Sequence, residues 1–423
     1  MARYVASLSE ECIHELTLTG CGWGIILAQW NLALYPSTAG RPMVAVFPLN
    51  VEASTLQCSE VLRWLRKSYK RLQALGESAP PMPRYFEQLY SSYLKRCSAR
   101  RGRELHRLLP QAAHAFSRTA MRENRLWVHT RPRIGVILAL SKDHAYFYGR
   151  ALGLWRCYCA RHRDCEVVVE WENFLKAYPY RLMMDEGGHI KPTWGLSWNR
   201  WFALQRHLDA YEWVFSADPD QFVSQQCFAS YSLSDALRAA GALDLPSDGG
   251  VAPVLVARDF PRFHTLNSAS VFLRGGDAGK LFLSLLFSRL EVQGLSDWDQ
   301  SAWDQTMIEF LDLWKHAQHW IRSGDNSLQR PPLGRLPRFE STRCMEEQYL
   351  WIDSTASLDR FTQCWHDFVD ELFGAFGARK WPQDAPLRLL DPETADINFV
   401  IGNRDTKDNP VFWHLAGKLK YVQ

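Results

Sequence analysis

The sequence has no apolar run of the roughly 18 residues that a membrane-spanning helix needs. Its best candidate, GWGIILAQWNLALYP, is broken by Gln29 and Asn31. The opening stretch MARYVASLSEECIHEL carries acidic residues where a secretory leader requires apolar ones. No Asn-x-Ser/Thr glycosylation sequon occurs. Cysteine is sparse, ten residues scattered over 423, which excludes a small disulfide-stapled scaffold. These absences lead to the expectation of a cytoplasmic protein, at most peripheral to a membrane, with Golgi association as the alternative.

What is present is an ordinary globular composition, 47% hydrophobic and 22% charged, in a chain long enough for two or more units. The net charge of +3 conceals an asymmetry. From Glu60 to Arg133 there are 17 Lys and Arg against 5 Asp and Glu, about +12, leaving about −9 elsewhere. The basic stretch includes VLRWLRKSYKRLQAL, YLKRCSARRGRELHRLL and AHAFSRTAMRENR, all with helical periodicity, interrupted by SAPPMPR. An anionic membrane surface is one partner such a patch fits; solvated helix faces are the plainer reading. No nucleic-acid motif accompanies the charge, so no nucleic acid is expected.

Near residue 130 the pattern changes. RIGVILAL (133–140) reads as a strand covered on both faces, HAYFYGRALGLWRCYCARH as a helix, and CEVVVEW as a second strand. After a loop containing DEGGHIKPTWG come the helix SWNRWFALQRHLDA and a strand that ends at Asp218. This β-α-β succession predicts a parallel sheet, with ligands at the carboxyl ends of its strands. Asp218 and Asp220 lie at such an end, separated by Pro219. Extended backbone, which Pro219 favours, would aim both carboxylates the same way. Two hard oxygen ligands with room for phosphate oxygens suit Mg2+ or Mn2+.

Several further segments occur in a telling order. LWRCYCARHRDCEVVVE, SWNRWFALQRHLDAYEWVFSADPD, LNSASVFLRGG, DWDQSAWDQTMIEFL and VFWHLAGKLK follow one another from about residue 133 to the end. Together they resemble the GT-A-fold glycosyltransferases that use a DxD motif and a nucleotide-sugar donor, nearest to the galactosyl-, mannosyl- and xylosyltransferase group. Ala269 or Ser270 stands where that family usually has glycine. The resemblance implies a Rossmann-like GT-A domain over 130–423, mostly parallel with flanking helices, after a basic, mainly helical region over 1–129. It also implies transfer of a hexose or pentose from a UDP-sugar, less readily a GDP-sugar, to a glycan or other glycosylated hydroxyl acceptor.

The same resemblance implies roles for individual residues. Asp218, Asp220 and His414 would hold Mn2+ or Mg2+, and Asp218 would also reach the ribose. A divalent ion there would stabilise the leaving nucleoside diphosphate as a Lewis acid. Arg200 would lie near the nucleotide, Lys418 near the diphosphate, Asn267 near the donor sugar, and Ser141 and Lys142 near base and ribose. The segment WDQSAWDQ offers two Asp-Gln pairs, 299/300 and 304/305. On a helix they point about 140° apart, so only one can face a cleft. Asp299 and Gln300, in the opening turn behind a Ser296 cap, match the family pattern better and are the expected catalytic pair.

The sequence also offers three rival readings. Cys157, Cys159, His162 and Cys165 are crowded enough for zinc, but residues i and i+2 of a helix diverge by about 200°. A sugar-nucleotide nucleotidyltransferase would need a glycine-rich loop after its first strand, where ALSKDHAYF has none. A non-catalytic scaffold or lectin-like protein with a degenerate transferase domain stays open, separable by metal-dependent nucleotide affinity. Among the 18 tryptophans, Trp194, Trp198, Trp298 and Trp303 flank the motif loops, and Trp365 falls in a periodic helix as a core residue.

Overall fold

A computed structural model describes residues 84–117, 133–140, 145–171, 174, 198–223, 231–243, 253–258, 266–289, 300–323, 339–344, 355–373, 385–390, 399–400 and 412–414. The chain divides into two compact units, Met1–Cys97 and Ser98–Gln423. The sequence expectation drew its boundary near residue 129; residues 98–117 of the basic region fall in the same unit as the sheet.

The described elements are helices α1 (Arg84–Ala115), α2 (Ala145–His162), α3 (Asn199–His207), α4 (Leu233–Ala239), α5 (Asp277–Phe287), α6 (Gln300–Ser323) and α7 (Thr355–Phe373). The strands are β1 (Ile134–Ala139), β2 (Cys165–Glu170), β3 (Trp213–Ala217), β4 (Gln221–Val223), β5 (Val254–Arg258), β6 (Leu266–Arg274), β7 (Leu387–Leu390), β8 (Phe399–Val400) and β9 (Phe412–His414). Six strands form one sheet in the order β2-β1-β3-β6-β5-β7. Five run parallel to one another and β6 runs against both its neighbours. A three-stranded sheet, β4-β9-β8, stands apart from it. The class is α/β, a mostly parallel, Rossmann-like sheet with helices packed on it.

The strands form because their β-branched and aromatic residues fill a surface covered by helices. One cross-strand row, Val167–Val136–Phe215–Phe272–Leu255, shows how the sheet is packed. Phe215 and Phe272 meet at 4.5 Å, and Trp155 of α2 closes on Phe215 at 5.7 Å. Trp155, Tyr158 and the α4 residues Leu233, Ala236 and Leu237 complete this core. The row continues to Arg388 on the edge strand β7. Its guanidinium donates to the carbonyls of Ala240 and Gly241, at 2.8 and 2.9 Å, where α4 ends and its carbonyls lack helical partners. At the start of α4, Ser232 and Asp235 form a reciprocal capping box.

A second packing layer joins α1, α5 and α6. Leu105, Leu109 and Ala112 mark the buried stripe on α1, Phe116 extends it just past the helix end, and Arg101 lies on the same stripe. Arg101, only 2% exposed, donates from Nε and Nη2 to both oxygens of the fully buried Glu309, at 3.0 and 2.6 Å. Arg289 clamps the same carboxylate from the other side, with Nε donating at 3.1 Å. One residue of the basic stretch is therefore an internal counter-ion, which is why its arginines cannot all be read as a solvated face. Where β6 turns into α5, a Cβ on Gly279 would lie 2.2 Å from the Arg274 carbonyl oxygen, so no larger residue fits without backbone movement.

Two disulfides are present among the described residues, Cys159–Cys165 and Cys344–Cys364. Scattered spacing had concealed both. Cys159 in the last turn of α2 and Cys165 at the start of β2 are joined by a tight connection in which Arg163 takes φ 59°. This bond occupies two of the four residues crowded between Cys157 and Cys165. Cys157 is exposed and free.

Candidate functional site

The site is built where β3 ends. The sequence reading placed Asp218, Pro219 and Asp220 in extended chain; the structure places them in a turn, a correction. The Gln221 N–H donates to the Asp218 carbonyl at 2.9 Å, which makes Pro219 and Asp220 the two central turn residues. Proline suits the first central position because its fixed φ of about −65° is the value a turn needs there. The turn reverses the chain directly into β4. Asp220 is buried, while Asp218 keeps 23% of its side chain exposed.

Gln221 and Arg200 hold Asp218. Its N–H donates to Gln221 Oε1 at 3.1 Å. Arg200, in the opening turn of α3 and 13% exposed, donates from Nη1 to Asp218 Oδ1 at 2.5 Å. The other arm of the same guanidinium reaches Ser268 Oγ at 3.1 Å, and the group lies 5.2 Å from the Trp201 ring centroid. Trp201 in turn stacks on Trp303 of α6 at 4.9 Å. Gln221 Nε2 donates to Ser270 Oγ.

Ser268 and Ser270 reach these partners because β6 is irregular here. Against β5 its register jumps from Val271 to Asn267, so Ser268, Ala269 and Ser270 have no residue opposite them on that side. Irregularities of this kind re-aim side chains beside sites. Gln221 and Ser268 are not singled out by the sequence, and Ser270 enters it only as a residue in place of the family's glycine. The available signal was NSAS, small polar residues inside a strand otherwise apolar.

His414 arrives from far along the chain. In the antiparallel pairing of β4 with β9, its backbone lies opposite Gln221, one residue beyond Asp220. Two carboxylates at a turn and an imidazole-bearing strand beside it are the oxygen and nitrogen donors that Mn2+ accepts, so the residue types fit such an ion. Among the described residues, no three His, Cys, Asp or Glu side chains are gathered as a metal group. The His414 side chain is outside that description.

The remaining expected residues divide simply. Asn267 has its backbone on β6 and Gln300 opens α6, neither with a described side chain. Ser141, Lys142, Ser296, Asp299 and Lys418 lie outside the described residues, as do Trp194 and Trp298. Trp198, Trp303 and Trp365 are buried core residues. Gln305 is fully buried, with Nε2 donating to Glu309 Oε1 and to the Ser341 carbonyl, each at 3.2 Å. It belongs to the α1–α6 packing layer.

No family model matches the chain, and no curated protein does. One solved structure it resembles is a glycosyltransferase involved in the glycosylation of the major capsid of PBCV-1. The alignment covers 69% of this chain and 96% of that one, at 11% identity and a TM-score of 0.30.

Proposed function

We propose that the chain is a metal-dependent glycosyltransferase that uses a nucleotide-diphosphate sugar. The observation that carries this reading is the Asp218-Pro219-Asp220 turn at the carboxyl end of β3, with the strand of His414 in register beside it. In a sheet of this class the carboxyl strand ends form the ligand crevice. Asp218, Asp220 and His414 would hold Mn2+ or Mg2+, and the ion would neutralise the departing diphosphate. Arg200 adds positive charge at the same place. Asp299 and Gln300 are assigned the face toward the anomeric carbon, a reading supported by the burial of Gln305 in packing. Ser141, Lys142, Asn267 and Lys418 keep their proposed donor contacts.

The donor is a UDP-sugar in preference to a GDP-sugar, and the acceptor a glycan or glycosylated molecule. The two disulfides support an oxidising compartment, in line with Golgi association more than a cytoplasmic setting. An anionic membrane is the proposed partner for the basic N-terminal stretch, in which Lys95, Arg103 and Arg107 of α1 are exposed.

The test is a screen of UDP- and GDP-sugar hydrolysis with Mn2+ present. Donor cleavage that chelation abolishes is the expected result. No cleavage, together with no metal-dependent nucleotide binding, would favour the scaffold reading.

A further inference from the structure

Arg200 and the proposed ion compete for one carboxylate. The guanidinium is held by geometry: one arm on Asp218 Oδ1, the other on Ser268 Oγ, its plane near Trp201. It is largely shielded from water, so its charge is felt strongly at Asp218. A divalent cation bound to Asp218 and Asp220 would lie within a few ångströms of this fixed positive charge. Repulsion weakens the binding of the ion by itself. A diphosphate reverses the balance, because its oxygens can bridge the ion and accept from the guanidinium together.

Resting on the glycosyltransferase reading, we infer that Arg200 couples metal binding to the donor diphosphate, so that the site takes up the two together and holds the bare ion poorly. By linkage, the factor by which UDP tightens Mn2+ equals the factor by which Mn2+ tightens UDP. Removing the charge should raise affinity for the bare ion and reduce that factor. Shortening the reach while keeping the charge, as in Arg200→Lys, should retain part of it.

The experiment is Mn2+ titration by calorimetry or by electron paramagnetic resonance of free Mn2+, with and without UDP. It compares the full-length protein with Arg200→Gln, Arg200→Lys and Ser268→Ala, each first checked for an unchanged thermal unfolding transition. In the wild type, UDP is expected to tighten Mn2+ at least about tenfold, within the range usual for coupled sites. Arg200→Gln should bind Mn2+ alone more tightly and lose most of the coupling, with Arg200→Lys and Ser268→Ala between the two. Equal or weaker binding of bare Mn2+ by a folded Arg200→Gln protein overturns the inference. So does a Ser268→Ala effect larger than that of Arg200→Gln. Asp220→Ala separates this failure from failure of the underlying reading: if it leaves Mn2+ binding intact, the metal assignment itself is wrong.

Discussion

Gln221 and His414 face each other across the antiparallel pairing of β4 and β9, and Gln221 also accepts from the Asp218 backbone N–H. One residue thus sits between the two halves of the candidate site. It closes the Asp218–Asp220 turn on one side and meets the late strand on the other.

If these residues hold the ion, Asp220→Ala should lower donor hydrolysis by at least about a hundredfold, the scale on which loss of an electrostatic stabiliser is felt. The fold should survive, since the turn is closed by backbone. Circular dichroism and initial rates at saturating Mn2+ check both halves, and near-normal turnover would remove Asp220 from the site.

The two glutamines of WDQSAWDQ should behave differently. Gln300→Ala is expected to lower kcat by roughly ten- to a hundredfold with little change in stability. Gln305→Ala removes a buried donor to Glu309 and Ser341 and should cost about 1–3 kcal/mol of stability, with kcat far less affected. Urea titration and steady-state kinetics of the two variants decide the matter. A larger loss of kcat at Gln305 would move the catalytic face to the second pair.

Glu309→Leu strips the counter-charge from Arg101 and Arg289 together, and a broken buried ion pair costs about 3–5 kcal/mol. Arg101→Met should cost less, because Arg289 remains on the carboxylate. Removing residues 1–97 should leave a cooperative unfolding transition, whereas removal through residue 129 takes Arg101 and the α1 stripe with it and should lower or abolish that transition. Denaturant unfolding of these four variants beside the full-length protein provides the comparison.

The capping box predicts a pH effect. Burial pushes the Asp235 carboxyl up, but hydrogen bonds from the Ser232 backbone and hydroxyl and from Arg238 outweigh it and hold the pKa below its ordinary 3.8. A lowered carboxyl pKa stabilises the folded state above the unfolded-state value, and the contribution is lost as pH falls through the folded value. Asp235→Asn should therefore be destabilised at neutral pH by under about 1 kcal/mol, the group being partly exposed. The gap between the two proteins should close well below pH 3.8. A gap that stays constant with pH would show the carboxylate charge to be irrelevant.

The parallel core was legible because its strands carry unbroken apolar runs and its helices a clear 3.6-residue period. The predicted strand 133–140 is β1 at 134–139, and the predicted helix before β3 is α3, shortened at both ends. The reversed direction of β6 was not legible: SVFL is equally apolar whichever way it runs, and only its partners fix its sense. The turn at Asp218 was misread because the φ of proline serves both extended chain and a turn, and the hydrogen bond that decides involves Gln221. Arg101 was hidden by composition, since a basic run masks one arginine on the apolar stripe. Of the site, the two aspartates and Arg200 could be located from sequence, while the serines that steady them depend on an irregularity in strand pairing.

The pairing of β4 with β9 sets an order of events during synthesis. The ribosome delivers the Asp218–Asp220 turn long before residues 412–414, and domains acquire structure as their chain emerges. The sheet can close at its far edge once β7 is out, yet β4 still waits for its partner. A transcript stopped between the two would yield a protein able to fold its main sheet while missing the strand that brings His414. Such a product would keep the Asp218–Asp220 turn and lack the strand that faces Gln221, so folding of the main sheet and completion of the candidate site become separable events.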